Sequence, residues 1–223
     1  KMKAELQSKE GLSAKKQGDP DPILAQQKTK LDVVYETPYQ AHACMEPLNC
    51  IAHHKGDAIE IWGPIQAPDW VQGDISEKMG IKKENVSVNM TFLGGGFGRK
   101  AFLDYTHEAC LISKEVGAPV QVIWTREDDM QNDFYRPAEM WRYRAALSAD
   151  NLLSWHQSGV GIGRGVRGDS YVAGAIANYR AEGQGFTSNT PTGWWRAPGA
   201  NTLAYVAESF MDEVCTALKK DPI

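Results

Sequence analysis

Four glycines in five positions, Gly94, Gly95, Gly96 and Gly98, follow directly on Val86-Ser-Val-Asn-Met-Thr-Phe92, where apolar and polar residues alternate. Period-two alternation marks a half-buried strand. The glycines end it, because residues without Cβ atoms bury little and lose the most freedom when ordered. The run Leu93–Lys100 is therefore a loop hung on a strand end. Its backbone can take positive φ and approach a ligand closely, and its successive N–H groups can form an anion nest. Arg99 and Lys100 would add positive charge for a phosphate. The spacing excludes two common phosphate loops. Gly94, Gly96 and Gly98 follow GxGxG, whereas the dinucleotide fingerprint needs glycine at 99. No glycine stands four residues ahead of a GK[ST] ending either. On spacing alone the loop is a tight structural turn or a cofactor cradle.

Around this loop the 223 residues alternate strand and helix patterns. Leu31–Tyr35, Ala58–Trp62 and Val120–Trp124 read as strands, and Met140–Leu147 with Leu152–Val160 as a hairpin. Pro68–Met79 and Asp104–Val116 read as helices stopped by Gly80 and Gly117, with Asp104 as the N-cap of the second. A last helix is expected over 200–218. Without a strict βαβ rhythm, these elements predict an α+β fold: mixed sheets with packed helices, in two small lobes. Residues 1–30 are polar and read as a mobile or loosely docked segment or linker. Gly18-Asp19-Pro20-Asp21-Pro22 should break any helix there. The compact domain is expected over residues 31–223.

Composition excludes several classes. Seven Trp, eight Tyr and six Phe are too much apolar payload for a disordered chain. No run approaches the roughly 18 apolar residues of a membrane span, and a net charge of -4 offers no basic footprint for nucleic acid. Cys44, Cys50, Cys110 and Cys215 make no CxxC pair, so zinc and iron–sulfur sites lack their ligand spacing. The chain opens Lys-Met-Lys and reads as a piece of something longer.

Two further corners could carry chemistry. Gly193-Trp194-Trp195-Arg196-Ala197-Pro198-Gly199 leads an arginine toward the last helix, where it could meet an oxyanion or phosphate; alternatively the tryptophans plug a core and Arg196 caps a carbonyl. Gly63-Pro64-Ile65-Gln66-Ala67-Pro68 is a strand-to-helix corner. Its Gln66 could donate an amide hydrogen to an oxo group or satisfy the turn backbone. His42, Cys44, Glu46, His53 and His54 could be drawn as a metal cluster, but strand alternation puts His53 and His54 on opposite faces, and no HxxxH or HExxH occurs. Thr125–Met130 lacks calcium-loop spacing, so Arg126 is expected to pair with neighbouring carboxylates. His107 reads as a surface or satisfied side chain.

Taken in order, these segments resemble the large subunits of molybdenum hydroxylases, the xanthine dehydrogenase and aldehyde oxidase family, and most of all the isoquinoline oxidoreductase type. The resemblance rests on His42-Ala-Cys-Met-Glu-Pro47, Ile65-Gln66, Gly94–Arg99, Trp124-Thr-Arg-Glu-Asp128, Tyr135-Arg-Pro137, Trp195-Arg-Ala-Pro-Gly199 and the helix 207–214. It implies the first molybdenum-cofactor-binding domain. Gln66 would hydrogen-bond an oxo ligand of molybdenum, the loop Gly94, Gly95, Gly96, Phe97, Gly98 and Arg99 would wrap the cofactor with the Phe97 N–H near the apical ligand, and Arg196 with Ala197 would sit beside it.

The resemblance also implies hydroxylation of an N-heteroaromatic or aldehyde with oxygen from water, on molybdopterin, in this branch generally its cytosine dinucleotide form. No residue of the chain would coordinate the metal directly. Electrons would leave through a small partner subunit with two [2Fe-2S] clusters. The family's catalytic glutamate lies downstream of the matching region, so the chain alone, without the rest of the large subunit, is not expected to turn over a small-molecule substrate. Ala101 stands where purine-type members carry glutamate, against a purine. Thr202 replaces a glutamine common in the family. The alternative is a non-catalytic module in which the same corners hold a small molecule or a partner.

Overall fold

A computed structural model describes residues 2–8, 12–161 and 171–222; Lys1, Lys9 and Glu10 of the polar leading segment lie outside them. In chain order the helices and strands are α1 (Met2–Ser8), β1 (Leu12–Gln17), α2 (Pro20–Gln26), β2 (Lys30–Thr37), β3 (Asn49–His54), β4 (Ile59–Gly63), α3 (Pro68–Met79), β5 (Val86–Met90), α4 (Asp104–Val116), β6 (Val120–Ile123), α5 (Arg126–Gln131), β7 (Glu139–Leu147), β8 (Leu152–Val160), β9 (Tyr179–Gln184) and α6 (Asn201–Leu218). The fold is α+β with two mixed sheets, divided into two compact units. Neither unit is a continuous stretch: one takes Ala41–Arg136 and Thr190–Arg196, the other Lys1–Gln40, Pro137–Asn189 and Ala197–Ile223.

The second of these units carries a five-stranded sheet in the order β1-β9-β8-β7-β2. Alternation along β7 places Trp141, Tyr143 and Ala145 on its apolar face. There α6 lays down Val206, Ala207, Phe210 and Val214, which recur at helical spacing. The Phe210 ring sits 4.8 Å from Trp155 and 5.2 Å from Tyr143, a packed aromatic centre. The hairpin of β7 and β8 forms as expected, but β8 also pairs parallel with β9, which the sequence reading left unassigned.

The leading segment is built into this unit. β1 pairs antiparallel with β9, Lys15 opposite Ala181. A polar strand suits this position, because at a sheet edge one side of its ladder faces water. The prolines start α2 rather than prevent it, since Pro20 occupies its first turn, where the missing N–H would have had no partner.

The other unit holds a four-stranded sheet, β5-β4-β3-β6, with β4 and β5 parallel and the rest antiparallel. Ile59 and Ile61 from β4, Val71 and Ile75 from α3, and Tyr105 and Ala109 from α4 share its core. The two helices end on Gly80 and Gly117 in the left-handed region, φ 68° and 70°, as expected of C-terminal glycines. Asp104 is not the N-cap of α4. Leu103 holds that position, and the Asp104 carboxylate is occupied elsewhere. β5 ends at Met90, leaving Phe92 fully exposed at the mouth of the glycine loop.

Candidate functional site

The glycine loop is gripped at alternate residues. At Gly94, Glu46 both donates its backbone N–H to the carbonyl (3.0 Å) and accepts the Gly94 N–H on Oε2 (2.7 Å). The Cys44 thiol donates to the Gly96 carbonyl at 3.3 Å. Gln66 Oε1 accepts from the N–H groups of Gly98 (3.1 Å) and Lys100 (3.2 Å), while the Gln66 backbone N–H donates to the Lys100 carbonyl. Glycine is required where the clamps close. A Cβ on Gly96 would overlap the Gln66 amide, and one on Gly98, at φ 109°, would overlap the Trp194 carbonyl oxygen.

Arg99 and Lys100 do not present their charge at the loop surface, contrary to the sequence reading. A 3₁₀ turn over Arg99–Ala101 carries both side chains inward until neither has exposed surface. Arg99 forks onto Asp104 (2.9 and 2.6 Å), reaches Asp133 with Nε (3.0 Å) and lies over the rings of Trp124 and Phe134. Lys100 Nζ meets Glu46 Oε2 at 2.5 Å. A buried charge must be paired, and both are. Burial by itself would raise the Asp133 carboxyl, but hydrogen bonds from His42 and the charges of His42 and Arg99 outweigh it and hold the group below its ordinary range. Arg99 thus belongs to the support of the loop, not to its ligand-facing side.

The third corner meets the loop within the same unit. Gly193 donates to the Tyr135 carbonyl at 3.0 Å, and the Trp194 ring stacks on Phe102 (5.5 Å between centroids) and meets Trp70 edge-on. The exposed Arg196 guanidinium then lies 5.7 Å from the centre of the Phe97 ring. Gln66, Phe97 and Arg196, more than a hundred residues apart at the extremes, share one exposed region. The last helix starts at Asn201, one residue from its expected start, so Arg196 stands ahead of its first turn.

Strain collects at these corners. Among the described residues four non-glycines have positive φ, and three lie in motif segments: Ala43 (47°), Phe97 (53°) and Ala197 (57°). Each such conformation costs about 1–3 kcal/mol and persists only where its surroundings enforce it. The segment around Ala43 is the part of the site that sequence reasoning missed. Its motif, His42–Pro47, carries part of the resemblance, and His42, Cys44 and Glu46 can also be drawn as a metal cluster, but their place as clamps on the glycine loop shows in no spacing rule.

What remains unspent defines the chemistry. Among the described residues, the N–H groups of Gly95, Gly96 and Phe97 meet no acceptor, and neither does the Gln66 Nε2. Because two N–H donors fix Oε1, the amide's NH2 end must point away from the loop backbone. Four donors, with the Arg196 charge nearby, suit an anionic or oxo-bearing group, and the residues present fit a molybdopterin cofactor in that respect.

Over residues 5–223 the sequence matches the family described as "Molybdopterin cofactor-binding domain". The chain belongs to that family, within the molybdenum hydroxylases. This molybdopterin-binding domain is 30% identical to the "Membrane-bound aldehyde dehydrogenase [pyrroloquinoline-quinone]" of Gluconacetobacter polyoxogenes, over 91% of the chain and 29% of that protein. It is 29% identical to the aldehyde oxidoreductase molybdenum-binding subunit PaoC of Escherichia coli K12, over 97% and 31%. Identity is 26% to the isoquinoline 1-oxidoreductase subunit beta of Brevundimonas diminuta, over 92% and 28%. The fold matches quinoline 2-oxidoreductase from Pseudomonas putida 86 with a TM-score of 0.77 at 20% identity, over 97% of the chain and 30% of that one. The domain spans less than a third of the length of these relatives.

Proposed function

We propose that this domain forms one wall of the molybdopterin site in a larger hydroxylase acting on an N-heteroaromatic or an aldehyde. The observation that carries this reading is the orientation of Gln66. Its oxygen is held by Gly98 and Lys100, so the NH2 group is the end left to donate. A donor fixed in this way pays no reorganisation when negative charge develops opposite it. The N–H groups of Gly95, Gly96 and Phe97 would receive the anionic side of the cofactor, and Arg196 would balance its charge. When bound, molybdopterin would supply the oxidising metal and transfer the substrate's electrons. The domain's own part is to place donors, exclude slack from the loop and hold the arginine corner against it.

Resemblance alone supports three finer assignments: a cytosine dinucleotide form of the pterin, a base glutamate elsewhere in the large subunit, and a small partner subunit with two [2Fe-2S] clusters. Relatives named as subunits agree with a multi-chain enzyme. Arg99, expected among the cofactor contacts, is not proposed as one: its side chain is buried and its backbone N–H donates to the Gly96 carbonyl.

The test is Gln66→Glu in the whole protein carrying this domain. Glutamate keeps an oxygen for the two loop N–H groups but replaces the outward donor with an acceptor. Molybdenum content should stay near wild type while turnover falls at least about tenfold, since losing one preorganised donor commonly costs 10²–10³. Wild-type turnover would remove Gln66 from the site. A whole protein purified free of molybdenum and pterin would favour the non-catalytic binding module.

A further inference from the structure

His42 lies under both the loop and the arginine corner and takes no part in the function proposed above. Its ring is fully buried and has an oxygen acceptor at each nitrogen. Nδ1 is 2.9 Å from Asp133 Oδ1 and Nε2 is 2.7 Å from the Trp194 carbonyl oxygen. The His42 backbone N–H also donates to Asp133 Oδ2, at 2.5 Å. A carbonyl can only accept, and Asp133 takes the His42 backbone N–H on Oδ2 and faces the Arg99 guanidinium with Oδ1, so it too accepts. Both ring nitrogens therefore donate, which requires a proton on each.

The charges around the ring are consistent with this. Asp133 faces it directly, Arg99 sits on Asp133, and Asp104 sits on Arg99. Asp129, on α5, is paired with Arg126. With a charged ring, His42 and Arg99 balance Asp133 and the partly exposed Asp104; a neutral ring would leave this group net negative.

The carbonyl that His42 holds is the one that abuts Gly98. A Cβ on Gly98 would overlap the Trp194 oxygen and come within 3.4 Å of His42 Nε2. Two residues on from that carbonyl stands Arg196, over the Phe97 ring. The geometry points to His42 as a positioning residue: a doubly protonated imidazole, anchored by Asp133, that pins the Trp194 carbonyl and so fixes Arg196 against the glycine loop. The inference deepens the proposed molybdopterin site and rests on that reading for its functional consequence, though the hold on Trp194 does not.

Three measurements on the whole protein test it. Nitrogen-15 spectra of the histidine-labelled wild type should show two ring N–H signals for His42; one signal overturns the proposal, and this needs no variant to fold. Limited trypsin cleavage after Arg196 should accelerate at least tenfold in His42→Phe, relative to cleavage after Lys55 in its exposed turn. In His42→Gln, whose amide can still donate to the carbonyl, cleavage should return to near wild type. A wild-type rate in the Phe variant, or no rescue by Gln, overturns it. Molybdenum content should fall several-fold in the Phe variant and recover in the Gln variant. Faster cleavage with unchanged molybdenum would leave His42's hold on the corner standing and refute the assignment of Arg196 to the cofactor.

Discussion

Lys100 offers the sharpest test of how the loop is held. Its ammonium is completely buried, and Glu46, 2.5 Å away, is its ion-pair partner among the described residues. Removing one member of a buried pair costs about 3–5 kcal/mol, because the other charge is left uncompensated. The Glu46 side chain keeps 32% of its surface exposed, so water can partly replace it, and Glu46→Gln should cost about 3 kcal/mol, the lower end. The Gly94 N–H is not lost, since the glutamine oxygen can still accept it. Lys100→Met leaves only a half-exposed carboxylate, which water can solvate, and should cost about 1 kcal/mol.

Glu46→Gln with Lys100→Met places two neutral groups face to face and should be less destabilising than Glu46→Gln alone. The double-mutant cycle, read from denaturant midpoints at constant slope, should therefore show about 2 kcal/mol of coupling. Additivity within about 0.5 kcal/mol would refute the pairing. The pH dependence gives a second check. Burial raises the Glu46 carboxyl, but hydrogen bonds from Lys100, the Gly94 N–H and Asn49 more than offset this and leave it below its ordinary range. A carboxyl lowered by folding adds stability above its unfolded value of about 4.3 and loses it as pH falls through the folded value. The deficit of Glu46→Gln should thus be complete at pH 7 and shrink below about pH 4.

Two glycines should respond in opposite directions. Gly98→Ala combines a φ of 109° with overlap onto a backbone oxygen that cannot rotate away, and should cost more than about 3 kcal/mol by denaturant unfolding. Gly73→Ala, inside α3 with nothing within 4 Å of the added methyl, should stabilise by about 0.5–1 kcal/mol. Thiol labelling of the native protein at pH 8 should spare Cys50, which burial pushes up to about 12, and Cys110, raised by the same cause. Cys215, half-buried on α6, should label faster; modification of Cys50 at an equal rate would contradict the packing around it.

Much of the fold was legible because its signals were local. The hydrophobic spacing of α3 and α4 and the glycines behind them state both helices and their ends within a dozen residues. β1 could not be read this way. Its sequence, Leu-Ser-Ala-Lys-Lys-Gln, carries no apolar stripe, and what makes it a strand is the free edge of β9 more than 150 residues later. The parallel pairing of β8 with β9 has the same character, since nothing within either strand specifies its neighbour. Pro20 and Pro22 misled for a related reason: proline forbids the interior of a helix but is welcome in its first turn, and only the position of the turn decides between them.

At the site, the three corners could be named from the sequence, while the direction of their side chains could not. Arg99 and Lys100 stand beside glycines that can wrap an anion, and two adjacent cations there look like ligand contacts. Which way they face depends on Asp104, Asp133 and Glu46, three carboxylates from three different segments. Paired with the buried Asp133 and the partly buried Asp104 and Glu46, the cations can sit inside, because neither is left as an unpaired charge within the unit. The outcome is a loop whose positive side chains brace it from behind while the N–H groups of Gly95, Gly96 and Phe97 meet no acceptor among the described residues. That division has a chemical use: a backbone donor has no rotamers to reorganise and cannot be neutralised by a solvent anion pairing with a mobile side chain. A site assembled this way depends on loop geometry more than on surface charge. Substitutions at Gly96, Gly98, Glu46 and His42 should therefore disturb it more than neutralising an exposed lysine elsewhere on the unit, such as Lys82.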